Sequence, residues 1–215
     1  QELSQVKGVH QHILRRGEPL RYTTLAGDPY LSYEIGGLTF SLQPMSFFQV
    51  NMAQARRLFD RSIELLGTID GRVLDAYCGV GVMTLLSART AAEAVGVEIV
   101  SMAVDDAKRN AQLNGLANAR FVTGLFQEQV LRLGKEAWDV VVLDPPREGI
   151  ADRMALQVLA VVVHPRHILY ISCNPATLAR DCRHLTQEGY HLRLIQPVDM
   201  FPHTYHIESI ALLEK

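Results

Sequence analysis

Cys173 stands in the run Ser172-Cys173-Asn174-Pro175. Asn followed by Pro reads as the N-cap and first residue of a helix. A cysteine just before a helix start feels its unpaired N–H groups and the positive end of its dipole, which favour the thiolate. Cys173 is therefore a candidate nucleophile, with Arg147 able to assist if the fold brings it close; the alternative is an inert buried thiol. Cys182, inside the following helix, and Cys78, in a glycine turn, read as packing residues. Glu208 opens the last apolar run, where an acid without a task is costly to bury, so it is a candidate general base. Asp144 precedes two prolines, which force a rigid extended path. Held outward, its carboxylate can accept hydrogen bonds from a cofactor or a planar substrate; the plain alternative is a strand terminator. His203 and His206 are three apart, but without a helix or a third ligand they do not make a metal site.

A second group of residues points to a nucleotide. Asp75-Ala76-Tyr77-Cys78-Gly79-Val80-Gly81 reads as a strand running into a helix. Gly79 and Gly81 let the backbone approach a ligand closely. Glu98 lies 23 residues after Asp75 and ends the next strand-like run, where a doubly wound fold places an acid against a ribose diol. A dinucleotide fingerprint would need glycine or alanine at Thr84. Its absence fits S-adenosylmethionine better than NAD and opposes a nicotinamide dehydrogenase; a purely structural βαβ turn is the other reading.

These side chains need a frame that brings them to one edge. Strand-like runs fall at 72–76, 94–98, 119–123, 138–143, 167–172, 190–197 and 206–213. Helix-like stretches at 83–90, 101–114, 127–133, 153–163 and 177–188 separate most of them. That alternation predicts a parallel sheet covered by helices on both faces, the last two strands forming an antiparallel pair at one edge. Ala55, Leu58, Phe59, Ile63 and Leu66 repeat at helical spacing. Earlier, 21–24, 31–35 and 38–42 predict a β-hairpin or small meander. The 215 residues suit one large domain or one with an appendage; 48% apolar and 20% charged residues provide a core and argue against disorder. A net charge of −2 does not announce a nucleic-acid binder, and no 18-residue apolar run predicts a membrane helix. Three widely spaced cysteines predict no disulfide framework and suit a reducing cytoplasm. Beginning at Gln1, the chain reads as truncated or processed.

Together the blocks Ser46 to Asn51, Asp75 to Gly81, Asp144-Pro145-Pro146-Arg147, Ser172 to Asp181 and Met200 to Glu208 resemble the RNA uracil-C5 methyltransferase family. The Leu-Ala-Arg-Asp and Asp-Met-Phe-Pro-His-Thr wording is closer to the 23S ribosomal RNA enzymes than to the tRNA enzyme. The resemblance implies an α/β, Rossmann-like S-adenosylmethionine-dependent methyltransferase fold. Residues 46–215 would form the methyltransferase domain, and residues 1–45 a short N-terminal β appendage left from a central RNA-contacting region. It implies that Cys173 adds to C6 of uracil and that Glu208 removes the C5 proton. Gln49, Tyr77, Gly79, Gly81, Glu98 and Asp144 would hold the cofactor; Phe47, Gln49, Asp144 and Arg147 would meet the flipped base. The expected partner is RNA, with no metal and no membrane, and the chain is expected to be a cytoplasmic monomer. Family members usually carry an oligonucleotide-binding domain and sometimes a four-cysteine iron–sulfur segment, neither of which is read in these residues. The rival readings are an RNA amino-group methyltransferase using Asp144, a non-catalytic RNA-binding module, and the tRNA uracil-C5 enzyme.

Overall fold

A computed structural model describes residues 6–13, 21–133, 137–150 and 152–215. Parts of the two expected divisions, residues 1–5, 14–20, 134–136 and 151, lie outside the described residues. In chain order the strands and helices are β1 (Gly8–Ile13), β2 (Arg21–Gly27), β3 (Leu31–Ile35), β4 (Leu38–Leu42), α1 (Met52–Leu66), β5 (Arg72–Asp75), α2 (Val82–Ala88), β6 (Glu93–Glu98), α3 (Ser101–Leu113), β7 (Ala119–Thr123), α4 (Phe126–Leu133), β8 (Val140–Leu143), α5 (Arg153–Val158), β9 (His167–Ser172), α6 (Pro175–Gln187), β10 (His191–Val198) and β11 (Glu208–Glu214). The stretch expected as one helix over 153–163 is α5 continuing into a π turn, Leu159–Val163.

β5 to β11 form a seven-stranded sheet in the order β10-β11-β9-β8-β5-β6-β7. Five strands are parallel, while β11 runs antiparallel to both β9 and β10. The central strands are apolar on both faces, and every residue of β8 is buried, as a sheet covered on both sides requires. One apolar layer, under α1, α2 and α3, includes Leu58, Leu85, Val104 and Leu169; the other, under α4, α5 and α6, includes Val130, Leu156, Leu185 and Tyr170. The segment between β10 and β11 is too short for a crossover helix, so those strands can only pair antiparallel.

The expected early hairpin is present as β3 with β4, but β2 does not join it. β2 pairs with β1, a strand the sequence reading did not foresee, and β3 pairs with β4 in a separate ribbon. Two features turn the chain away after β2. Asp28 N–H still bonds to Lys7 O at 2.8 Å, extending the β1–β2 pairing, while the Asp28 carboxylate accepts Tyr30 N–H at 2.9 Å across Pro29. β1 escaped notice because Gly8-Val9-His10-Gln11-His12-Ile13 carries only two large apolar residues. The β3–β4 hairpin packs into the same core as the 46–215 region: Ile35, Phe40 and Leu42 are almost wholly buried there. Its edge is met by α3, whose Asn114 and Asn110 side chains accept Thr39 N–H at 2.9 Å and Ser41 N–H at 2.7 Å.

Candidate active site

The parallel strands deliver their carboxyl ends to one edge of the sheet, where ligands of open α/β folds sit. β5 ends at Asp75, which is 1% exposed. Thr84 Oγ1 donates to one carboxylate oxygen at 2.6 Å, and the other has no hydrogen-bond partner. Burial, with repulsion from Glu98 added, pushes this carboxyl up to about 7 although Thr84 pulls the other way. The turn that follows needs its glycines: Gly79 has φ 51° and Gly81 φ 90°. A side chain on Gly81 would also press on Ala107 and Phe121. Glu98 at the end of β6 accepts Gly79 N–H at 3.0 Å and Val100 N–H at 2.9 Å. Both oxygens are thus oriented by backbone and keep lone pairs for a diol.

The other half of the site follows from strand register. Ser209 of β11 pairs with Ser172 of β9 in an antiparallel ladder. The next position outward on each strand is therefore Glu208 and Cys173, side by side at the sheet edge. Asp144 lies one residue beyond β8, whose Leu143 pairs with Tyr170 of β9. Asn174 caps α6 as expected, its side-chain oxygen accepting Ala176 N–H at 3.1 Å. Its amide Nδ2 and the Thr177 hydroxyl both donate to Arg147 O, at 3.1 and 3.3 Å, which ties the Pro-Pro-Arg segment to the cysteine helix. Arg147 Nη2 lies 3.3 Å from His206 Nδ1.

The electrostatics differ from the expectation for Cys173. Its thiol is pushed up rather than down, by burial first and then by Glu208 and Asp144; Arg147 opposes this. The helix start is present, yet burial, with the acids from β11 and from the end of β8 added to it, leaves the thiol raised. Glu208 is 5% exposed and burial raises its carboxyl as well. Asp144 is pushed up to about 8 by burial, then by Glu208 and Asp75. Asp75, Asp144 and Glu208 thus bring carboxyl groups raised by burial to one cleft, a setting suited to proton transfer.

A cleft of about 1050 Å³ joins the two halves. Phe47, Gln49, Tyr77, Gly79, Glu98, Asp144, Arg147, Cys173 and Glu208 all line it. Gly81 does not; it shapes the turn as the residue preceding α2. Sequence reasoning did not single out Phe201 or Met102 as lining residues and weighed His206 only as a metal ligand. Their signal was position: each follows closely on a strand end or lies just before β11. Among the described residues no group of three His, Cys, Asp or Glu side chains can hold a metal, and no helix is long and apolar enough to cross a membrane.

An α/β sheet with a glycine turn, a second strand-end acid and a cleft along its carboxyl edge defines a Rossmann-like methyltransferase. The fold agrees with that of an S-adenosylmethionine-dependent methyltransferase from Agrobacterium tumefaciens, at 14% identity, a TM-score of 0.67 and coverage of 90% of this chain and 73% of the other. Residues 34–215 match the tRNA (uracil-5-)-methyltransferase family, and the chain belongs to that family. It is similar to uncharacterized RNA methyltransferases of Caldanaerobacter subterraneus (45% identity, covering 84% of this chain and 40% of the relative) and Thermosynechococcus vestitus (48%, covering 88% and 42%). Among solved structures it is similar to the Pyrococcus abyssi tRNA (uracil-54, C5)-methyltransferase bound to S-adenosyl-L-homocysteine, with 28% identity, a TM-score of 0.79 and coverage of 96% of this chain and 50% of that one. The chain thus spans less than half the length of these two curated relatives.

Proposed function

We propose that this chain is the catalytic part of an enzyme that methylates C5 of a uridine in RNA, with S-adenosylmethionine as donor and 23S ribosomal RNA as substrate. The observation that carries the reading is the juxtaposition of Cys173 and Glu208, each one residue beyond the Ser172–Ser209 pair that closes the β9–β11 register. Uracil C5 is a poor nucleophile until C6 carries a substituent, so this chemistry needs a nucleophile and a base on one side of one pocket. An amino-group transfer would need neither. The preference for ribosomal RNA rests on the Leu178-Ala179-Arg180-Asp181 and Asp199 to Thr204 wording. Residues 1–45 are proposed as the remnant of an RNA-contacting region, anchored to the core by the β3–β4 hairpin.

The residues present fit the donor. Glu98 suits the ribose diol, the open glycine turn suits a closely approaching chain, and Ile99, Val100, Met102 and Leu125 offer an apolar wall for a flat base. The unpartnered oxygen of Asp75 suits a cationic tail. When bound, the donor supplies an electrophilic methyl group to C5. Cys173 Sγ forms a bond to C6 as its proton leaves to solvent, and the electron pair of the C5–C6 double bond moves onto the ring oxygen system, leaving Glu208 free to act as a base. After C5 is methylated, Glu208 takes the C5 proton, the double bond re-forms and the sulfur departs. Burial that raises Glu208 makes it the stronger base for a carbon-bound proton. Arg147 beside the thiol offsets part of the carboxylate repulsion as the sulfur gains charge.

The test uses a ribosomal RNA fragment carrying 5-fluorouridine, incubated with the protein and S-adenosylmethionine. Fluorine cannot leave as a proton, so a denaturation-stable adduct on Cys173 is expected by gel and mass spectrometry, and none with Cys173→Ala. Methyl transfer that survives Cys173→Ala, with no adduct in the native protein, would overturn the reading in favour of amino-group chemistry.

A further inference from the structure

The turn between β10 and β11 carries three rings from the cleft out to solvent. Phe201 and His206 line the cleft. Their centroids are 6.2 Å apart, edge to face, and His206 lies 4.1 Å from Tyr205. Tyr205 is 86% exposed. Such a ring contributes nothing to the core, and its face away from His206 stands open to solvent. The turn that presents it is held on purpose-built bonds. Thr204 Oγ1 donates to Phe201 O at 2.7 Å and accepts His206 N–H at 3.2 Å, and Thr204 N–H bonds to Phe201 O at 3.1 Å. His203, a non-glycine residue, sits at φ 66°, a left-handed conformation that such residues adopt at a cost. Arg147, 3.3 Å from the His206 ring, fixes the inner ring and sets a positive charge beside the stack.

A flat, exposed, sequence-tolerant ring next to a cation is what an unstacked nucleobase and its phosphate require. We propose that Tyr205, backed by His206, is a stacking platform for a nucleobase flanking the nucleotide held in the cleft. This rests on the reading of the substrate as RNA, and it adds a second base subsite outside the reacting pocket. A nucleotide turned out of its stack leaves its neighbour without a partner face; Tyr205 supplies one at the rim.

The probes are single-stranded RNA nonamers with one central uridine among adenosines, in which each neighbouring position in turn carries 2-aminopurine. Because Tyr205 lies outside the core, its variants fold, and calorimetry of donor binding verifies this independently of turnover. Native protein is expected to quench the fluorescence at one position. Tyr205→Phe, which keeps the ring, should retain both quenching and affinity. Tyr205→Ala should lose the quenching and bind about 10-fold more weakly. Equal quenching and affinity in Tyr205→Ala, or no quenching at any position in native protein, overturns the platform. Quenching at one position without methyl transfer to uridine supports the platform and counts instead against the uracil-C5 reading, so the two failures are distinguishable.

Discussion

Asp144 is the side chain on which folding and chemistry pull in opposite directions. Burial first, then Glu208 and Asp75, push its carboxyl up to about 8. In the unfolded chain the same group ionises near pH 4. Between about pH 4 and pH 8 the unfolded state has therefore released a proton that the folded state still holds. Stability falls as pH rises through that window, because fewer protons are bound by the unfolded chain. Asp144→Asn keeps the shape and removes the ionisation. Denaturant titrations should show no gain near pH 4 and a gain that grows to about 5 kcal/mol by pH 8, while methyl transfer is lost. A gain that does not change with pH would mean that burial of the charge is not its cause. At this scale the sequence put Glu98, Asp144, Cys173 and Glu208 at strand ends, and the structure has all four lining one cleft. The sequence did not show the direction of the shift at Cys173. The helix start next to it is local and legible, whereas the burial that raises the thiol, and the carboxylates from β11 and the end of β8 that add to it, arise only once the sheet is assembled.

The site halves are held by contacts between elements that apolar periodicity does not reveal. On α3, Asp106, Asn110 and Asn114 recur every four residues, a rise of about 6 Å per step. Along β4 and just past it, Thr39, Ser41 and Gln43 recur every two, about 6.6 Å per step. The two repeats match, so each side-chain oxygen meets one backbone N–H: Asn114 with Thr39 at 2.9 Å, Asn110 with Ser41 at 2.7 Å, Asp106 with Gln43 at 2.9 Å. The exposed edge of β4 is thereby capped instead of left open. The apolar face of α3 is Ala103, Val104, Ala107 and Ala111, and beside such a 3.6-residue pattern a polar ladder looks like solvent face. In fact Asp106 and Asn110 are fully buried. Asn110 also donates to Val80 O at 3.1 Å, linking the hairpin to the glycine turn. Asn110→Ala leaves two buried backbone groups unpaired and should cost about 2–4 kcal/mol. Thermal unfolding would measure that loss, and calorimetry should find weaker donor binding because the Gly79 to Gly81 turn loses its strut. An unchanged donor affinity alongside the lost stability would confine Asn110 to the hairpin.

Over the whole molecule, the β–α alternation predicted a parallel sheet with an antiparallel edge, but not which strands would be neighbours. Strand order depends on crossovers that place β6 and β7 on one side of β5 and β8, β9 and β11 on the other. The early chain was misjudged for a related reason: pairing partners are a property of space, and β2 had two candidates. The result is a body and a ribbon with different claims on stability. Every strand of the body contributes to the two apolar layers, beginning at Ile35. The β1–β2 ribbon pairs only with itself, and none of its described side chains is buried; Val9, Ile13 and Leu25 are exposed. A lone two-stranded ribbon is marginal in water, so the body cannot depend on it. Deleting residues 1–27 should change the unfolding free energy of the body by less than about 1 kcal/mol and leave donor affinity as it was. In the intact chain, hydrogen exchange should show the β1–β2 amides opening at denaturant concentrations where β5, β8 and β9 remain protected. If the ribbon amides instead exchange only with global unfolding, the ribbon is part of the cooperative body.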